Sequence, residues 1–168
     1  MFISSQSNYL LGDNLYEEPN EAPIITFKAF FEDLARFCDN FHLLNDDTKK
    51  RLVIENDDSP NEYSVKDLYE GVYKKIGIPV TFDYFHHKFN TGGQTEEEAL
   101  RLAATTWPEN VPQCCHYSES RRKEKLDESI RPQAHSDIIY DEIKTYGLEP
   151  DIVIEAKLKE QAIFNYKK

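Results

Sequence analysis

Apolar positions follow two rhythms along this chain. Phe27, Phe30, Phe31, Leu34, Phe37, Cys38 and Phe41 recur at three- and four-residue steps, so Ile25 to Leu44 is predicted to form an amphipathic helix. Short apolar runs then appear at 51–56, 79–83, 113–116 and 151–156, each of strand length. Helix signals lie between them. Ser64 with Asp67 three residues on has the form of a capping box, opening a helix to about Ile76. Gly77 ends that helix and Pro79 starts the next strand. Thr95 and Glu98 repeat the capping pattern for a helix to about Thr105. A further helix is predicted from Asp137 to Tyr146, stopping at Gly147, and a last short one runs to about Tyr166. Strands alternating with helices predict an α/β fold with a parallel sheet. Residues 1–24 are polar and aperiodic, and are expected to be irregular, with residues 25–168 forming one domain.

Each apolar run ends in a carboxylate or an imidazole. Glu55 closes the first run, Asp83 and His86 the second, His116 the third and Glu155 the fourth, and His135 joins them from Ala134-His135-Ser136-Asp137. Successive strand side chains point to opposite faces. Glu55 therefore shares a face with Val53, Asp83 with Thr81, His116 with Cys114 and Ser118, and Glu155 with Val153. In all four strands the polar residue falls on the less apolar face, leaving the greasier face for the helices. A (β/α) barrel has this logic, with inward residues at the C-terminal strand ends building the active site. Singly, each residue is ordinary: a carboxylate at a strand end is usually solvated, and a lone His is usually structural. Together, carboxylate oxygen and imidazole nitrogen make the mixed ligand set suited to manganese, iron or zinc rather than calcium.

Composition narrows the partners. The 168-residue chain carries 20 Lys and Arg against 31 Asp and Glu, a net charge of −11, which opposes nonspecific attraction to nucleic acid. Any nucleic-acid role then falls to a local basic patch, to metals or to another polypeptide. The densest basic stretch is Ser120-Arg121-Arg122-Lys123-Glu124-Lys125, a candidate for phosphate contact through Arg121, Arg122 and Lys123, or a solvated loop of mixed charge. Three cysteines make no disulfide framework, and Cys38 is expected to be a buried helix residue. No apolar run approaches a membrane span of ~20 residues. The N-terminus lacks a signal-peptide pattern, so an intracellular, unsecreted protein is expected. Gly92-Gly93 predicts a turn, Trp107-Pro108 a packing anchor, and His42 a structural or exposed residue. His87 is expected either beside the ligands or on the surface.

The motifs Arg51-Leu-Val-Ile-Glu-Asn-Asp-Asp58, Gly77-Ile-Pro-Val-Thr-Phe-Asp83-Tyr-Phe-His86-His87, His116-Tyr-Ser-Glu119, Ala134-His135-Ser-Asp137 and Ile154-Glu155-Ala-Lys157-Leu-Lys159-Glu160 occur in one order across residues 25–165. In that order and spacing the chain resembles the UV damage endonuclease family, whose fold is a TIM-type barrel. The resemblance implies an α/β fold made of the last four strand-helix units of such a barrel. It implies a DNA repair endonuclease, a hydrolase that incises double-stranded DNA 5′ of UV photoproducts. It further implies a cluster of divalent ions, manganese first and zinc or magnesium as alternatives, held by Glu55, Asp83, His86, His116, His135 and Glu155. Glu55, Asp83, His116 and Glu155 carry the catalytic assignment. A xylose-isomerase-like sugar enzyme on the same scaffold and an inactive barrel remnant are the alternative readings.

Two departures from the family pattern stand out. Many members carry a lysine two residues before the third-strand His, modified in some to bridge metals, and here Cys114 takes that place. A thiolate can ligate a soft metal but cannot reproduce a bridging carbamate. A complete (β/α)₈ barrel also needs ~250 residues, so the match corresponds to its C-terminal half. A second chain supplying the N-terminal half is therefore an expected partner, and two open strand edges are expected to invite association.

Overall fold

A computed structural model of the chain describes the backbone of residues 23–166 and the side chains from residue 32. Apart from its last two residues, the irregular segment expected over 1–24 lies outside the described residues. Those two open helix α1 (Pro23–Phe41). Phe27, Phe30 and Phe31 also lie outside the described side chains, but Leu34 and Cys38 are buried, with Phe37 and Phe41 packed against the core.

Four parallel strands form one sheet in the order β1-β2-β3-β4, with β1 at Ile54–Glu55, β2 at Val80–Asp83, β3 at Cys114–Tyr117 and β4 at Asp151–Ile154. The strand expected over 51–56 shrinks to two residues, because its ladder pairs only Ile54 with Val80 and Glu55 with Thr81. Alternation along the strands decides the two faces. Ile54, Val80, Phe82, Cys115, Tyr117, Ile152 and Ile154 all belong to or pack on the hydrophobic core, and neither Cys114 nor Val153 does. Glu55, Thr81, Asp83, Cys114, His116 and Val153 thus share the opposite face, as their parity predicts.

The helices cover the apolar face. Ser64 caps α3 (Val65–Leu68) through a reciprocal box with Asp67. A wide turn at Tyr69–Tyr73 and α4 (Lys74–Ile76) continue it to Gly77, which is left-handed at φ 72°. The turn brings Gly71 under Leu34 and lets the Cys38 thiol donate to the Gly71 carbonyl at 3.5 Å. Thr95 and Glu98 form the second capping box, on α6 (Glu96–Ala104). Val65, Leu68, Val72, Leu100 and Ala103 then bury against Val80 and Phe82. Trp107 anchors the sheet as predicted, its indole N–H donating to the Val80 carbonyl at 2.8 Å. A short α2 (Asp46–Lys49), α5 (Tyr84–His87), α7 (Arg121–Lys125) and α8 (Glu160–Tyr166) complete the elements.

The helix predicted over Asp137–Tyr146 is absent. The buried Glu119 carboxylate captures two of its backbone N–H groups, those of Tyr140 and Asp141, each at 2.9 Å. The Ser136 hydroxyl donates to the Ile138 carbonyl at 2.7 Å, so this segment's polar backbone is committed to non-helical partners.

Gly92 tests how tightly the α3 cap is packed. Its φ is +56°, and a Cβ there would collide with the Ser64 side chain that caps α3. Gly92→Ala is expected to destabilise the chain by about 1–3 kcal/mol, since left-handed strain and displacement of the cap add. An unchanged or raised urea midpoint would refute this.

Candidate metal centre

Each strand delivers one polar side chain to the C-terminal end of the sheet's inner face. Glu55 ends β1, Asp83 ends β2, His116 lies in β3 and Glu155 follows β4, held by its own N–H donating to the Tyr117 carbonyl at 2.9 Å. Register sets Asp83 beside His116. His86 enters from α5, a short helix that Asp83 itself caps. One Asp83 oxygen, Oδ1, accepts from Phe85 N at 2.7 Å and His86 N at 2.8 Å.

Two groups converge. Glu55, Asp83 and His86 form one, and Asp83, His116 and Glu155 the other. In each, one donor atom per residue lies within 4.8 Å of the rest, and Asp83 belongs to both. The groups also touch through Glu55, whose Oε1 lies 3.4 Å from His86 Nδ1 and Oε2 3.2 Å from His116 Nδ1. His116 Nδ1 is 3.6 Å from Glu155 Oε1. His135 stands at the rim, its Nδ1 3.2 Å from the Glu155 carbonyl and its ring 6.5 Å from that of His86, outside both groups.

The donor set fits a divalent cation. Both oxygens of Glu55 and Oδ2 of Asp83 are buried without a hydrogen-bond donor. Such anionic atoms are costly unless a cation meets them. Oxygen and imidazole ligands together suit manganese, zinc or magnesium.

Electrostatics within the metal-free cluster reflect the same crowding. Burial is the largest influence on Asp83 and lifts its carboxyl to about 7, with Glu55 adding to it and His86 opposing it. Burial disfavours charge on His86, yet Asp83 and then Glu55 outweigh it and raise the imidazole above its ordinary value. His116 follows the same pattern. Burial is overcome by the neighbouring Cys114 thiol and the Glu55 and Glu155 carboxylates, and the ring rises to about 10. His135 goes the other way, lowered by burial.

His87 leaves the site. It is buried on the core side with its ring 5.3 Å from that of Phe82, which excludes both the role beside the ligands and the surface position expected for it. Arg121, Arg122 and Lys123 begin α7, which Ser120 caps. Their charges already have partners: Arg121 with Asp137 at 3.4 Å, Arg122 with Glu128 at 3.0 Å and Lys123 with Asp141 at 3.0 Å.

Two buried residues beside the cluster were not distinguished by sequence pattern. Asn56, directly after Glu55, is fully buried and bonded to Asp83 and His86. Glu119, three residues after His116, is also buried. Besides Tyr140 and Asp141 N–H it accepts the Tyr117 hydroxyl at 2.9 Å, and its carbonyl accepts Ser136 N–H at 2.7 Å, which ties the His135 segment to β3. Only their place inside the Glu-Asn-Asp-Asp and His-Tyr-Ser-Glu motifs hinted at either.

The class is that of a four-stranded parallel α/β sheet with a buried carboxylate–imidazole cluster at the C-terminal ends of its strands that could hold a divalent metal ion. The chain belongs to the UV-endonuclease UvdE family, whose model matches residues 25–168. It is 37% identical over 145 residues to the UV-damage endonuclease of Schizosaccharomyces pombe, an alignment covering 83% of this chain and 23% of that protein. The UV DNA damage endonuclease of Bacillus pumilus is 34% identical over 140 residues, covering 77% of this chain and 41% of the relative. The crystal structure of SacUVDE superposes with a TM-score of 0.64 at 35% identity, over 78% of this chain and 43% of that one. The chain therefore spans less than half the length of these relatives. Among the described residues no helix is long and apolar enough to cross a membrane.

Proposed function

We propose that this chain carries part of the active site of a metal-dependent DNA repair endonuclease that incises double-stranded DNA 5′ of UV photoproducts. The observation that carries the reading is the pair of carboxylate–imidazole groups sharing Asp83 at the ends of parallel strands. Family membership supports the DNA substrate and favours it over a sugar. In this reading Glu55, Asp83, His86, His116 and Glu155 hold the ions, with His135 joining from the rim and manganese the preferred metal. Bound divalent ions would supply an activated water and charge stabilisation for phosphodiester hydrolysis. Glu55 and Glu155 provide the anionic walls, and the α5 cap keeps Asp83 from rotating.

Arg121, Arg122 and Lys123 are proposed to take up DNA phosphates. The Lys123 pair is exposed and costs little to exchange, whereas Arg121 and Arg122 are half-buried and Arg122 also donates to the Ile130 carbonyl at 2.7 Å, so Lys123 is the most readily redirected of the three. The proposed role places the protein inside the cell with its DNA.

The four strands are further proposed to be half of a closed barrel. β1 and β4 form the sheet's edges, and the inward Val153 is 39% exposed, as expected of a surface that other strands should cover. A second polypeptide carrying the N-terminal half of the barrel is one source of that cover.

The test is nicking of UV-irradiated supercoiled plasmid. The 168-residue chain is assayed alone and with the N-terminal half of a full-length relative supplied in trans, with manganese, zinc, magnesium or chelator. The expected result is weak or no incision by the chain alone, because a net charge of −11 opposes DNA binding. Manganese-dependent incision confined to irradiated plasmid should appear in the pair. A reconstituted pair that binds metal and cuts no damaged DNA would remove the endonuclease reading.

A further inference from the structure

The ladder between β1 and β2 ends at Glu55, and beyond it a side chain replaces the backbone. The main-chain N–H and C=O of Asp83 both face Asn56. Asn56 Oδ1 accepts from Asp83 N at 2.9 Å, and Asn56 Nδ2 donates to Asp83 O at 3.1 Å. This reciprocal pair needs one acceptor and one donor on a short stem. Asparagine supplies both, aspartate turns a second acceptor toward a carbonyl, and glutamine is a methylene too long.

The same residue reaches His86 through its main chain. His86 Nδ1 lies 2.8 Å from the Asn56 carbonyl. A carbonyl only accepts, so Nδ1 carries the proton and Nε2 is the ring nitrogen left with a lone pair for a metal. Nε2 is the atom that faces Asp83 Oδ2, 3.9 Å away. Asp83 is divided in the same manner, since Oδ1 caps α5 and Oδ2 has no donor.

We infer that Asn56 is a positioning residue of the metal centre: its amide locks Asp83 at the end of β2, and its carbonyl sets the tautomer of His86. Both ligands are then aligned before any ion arrives. The inference rests on the metal-centre reading above. Asn56 itself, fully buried, has its side-chain amide committed to Asp83, so it acts through its neighbours. Partners that orient a ligand in this way typically change metal affinity by about 10–100-fold when removed.

The experiment measures manganese affinity, unfolding midpoint and the ¹⁵N spectrum of the His86 ring in the whole chain. Asn56→Ala and Asn56→Asp are compared with wild type. Gly92→Ala serves as a destabilised control that leaves the cluster alone. The expected result is a loss of about 10–100-fold in manganese affinity in the Asn56 variants, against less than about two-fold in the control. In cadmium-loaded wild type, His86 should show a protonated Nδ1 and a metal-bound Nε2, and the variants, which keep the Asn56 main-chain carbonyl, should show the same tautomer while losing affinity through the freed Asp83. Folded variants with wild-type affinity, or a loss no larger than the control's, would overturn the role of Asn56. So would wild-type His86 bound through Nδ1, a result that requires no variant to fold. Failure of the wild-type chain to bind manganese, cadmium or zinc at all would instead sink the metal-centre reading on which this role depends.

Discussion

Asp83→Asn is expected to weaken manganese binding by at least about 100-fold while making the metal-free protein more stable. Asp83 is the one residue common to both ligand groups, so its charge serves both positions. In the metal-free protein that charge is a burden. The side chain is fully buried, its Oδ2 has no donor, and the Glu55 and Glu155 carboxylates raise its pKa further. Asparagine keeps an oxygen to cap Phe85 and His86 N–H, and places an amide N–H where Oδ2 met other carboxylates. The gain at pH 8 should be on the order of 1–3 kcal/mol, the scale of relieving an uncompensated buried charge. Manganese titration and urea unfolding of chelator-treated protein measure the two effects. Parallel losses in both would mean that the Asp83 charge supports the fold, and would refute the division of labour drawn here.

The second large effect is a reversal of pH dependence by metal. Asp83 has a folded value near 7, above its ordinary 3.8, so its contribution to stability is full below about 3.8 and is lost as pH rises through 7. His116 is likewise raised, from 6.5 to about 10, by the Cys114 thiol and the Glu55 and Glu155 carboxylates against the effect of burial. Its contribution is full below 6.5 and disappears as pH climbs through 10. His86 is shifted in the same direction. His87 and His135 are lowered by burial, so their contributions are present above 6.5 and lost on acidification through their folded values, on the other side of that window. Metal-free wild type should therefore lose stability between pH 6.5 and 10 relative to His116→Gln, by on the order of 3 kcal/mol. With manganese the slope should invert, because bound metal competes with protons for the same atoms and stabilises more as they leave. Unfolding free energies across this range with and without metal provide the check, and slopes of the same sign in both would contradict it.

Much of the frame was legible in residues that lie close together in the chain. Both capping boxes, the left-handed Gly77 and the packing of Trp107 occur where local pattern placed them. Strand parity correctly divided Val80, Phe82, Cys115 and Tyr117 from Thr81, Asp83, Cys114 and His116, because a two-residue period is a property of the extended backbone. Errors came where a distant group competes with local preference. Asp137–Tyr146 has helical periodicity, but Glu119, about 20 residues earlier, takes its N–H groups. His87 shares a motif with His86, yet adjacent positions on a helical turn point about 100° apart, and only one of them reaches the ligands.

By itself, then, the sequence determined the class of fold, the faces of the strands and the residue types available for a metal. Tertiary structure decided which of them meet. It united Glu55, Asp83, His86, His116 and Glu155, left His135 at the rim, and made Asn56 the link between β1 and β2. The physical reason is range. Periodicity and capping act over three or four residues, whereas the contacts between strands join residues far apart in the chain, 27 positions for Asn56 and Asp83 and 30 for Asn56 and His86. Their geometry depends on how each crossover packs its helix against the sheet.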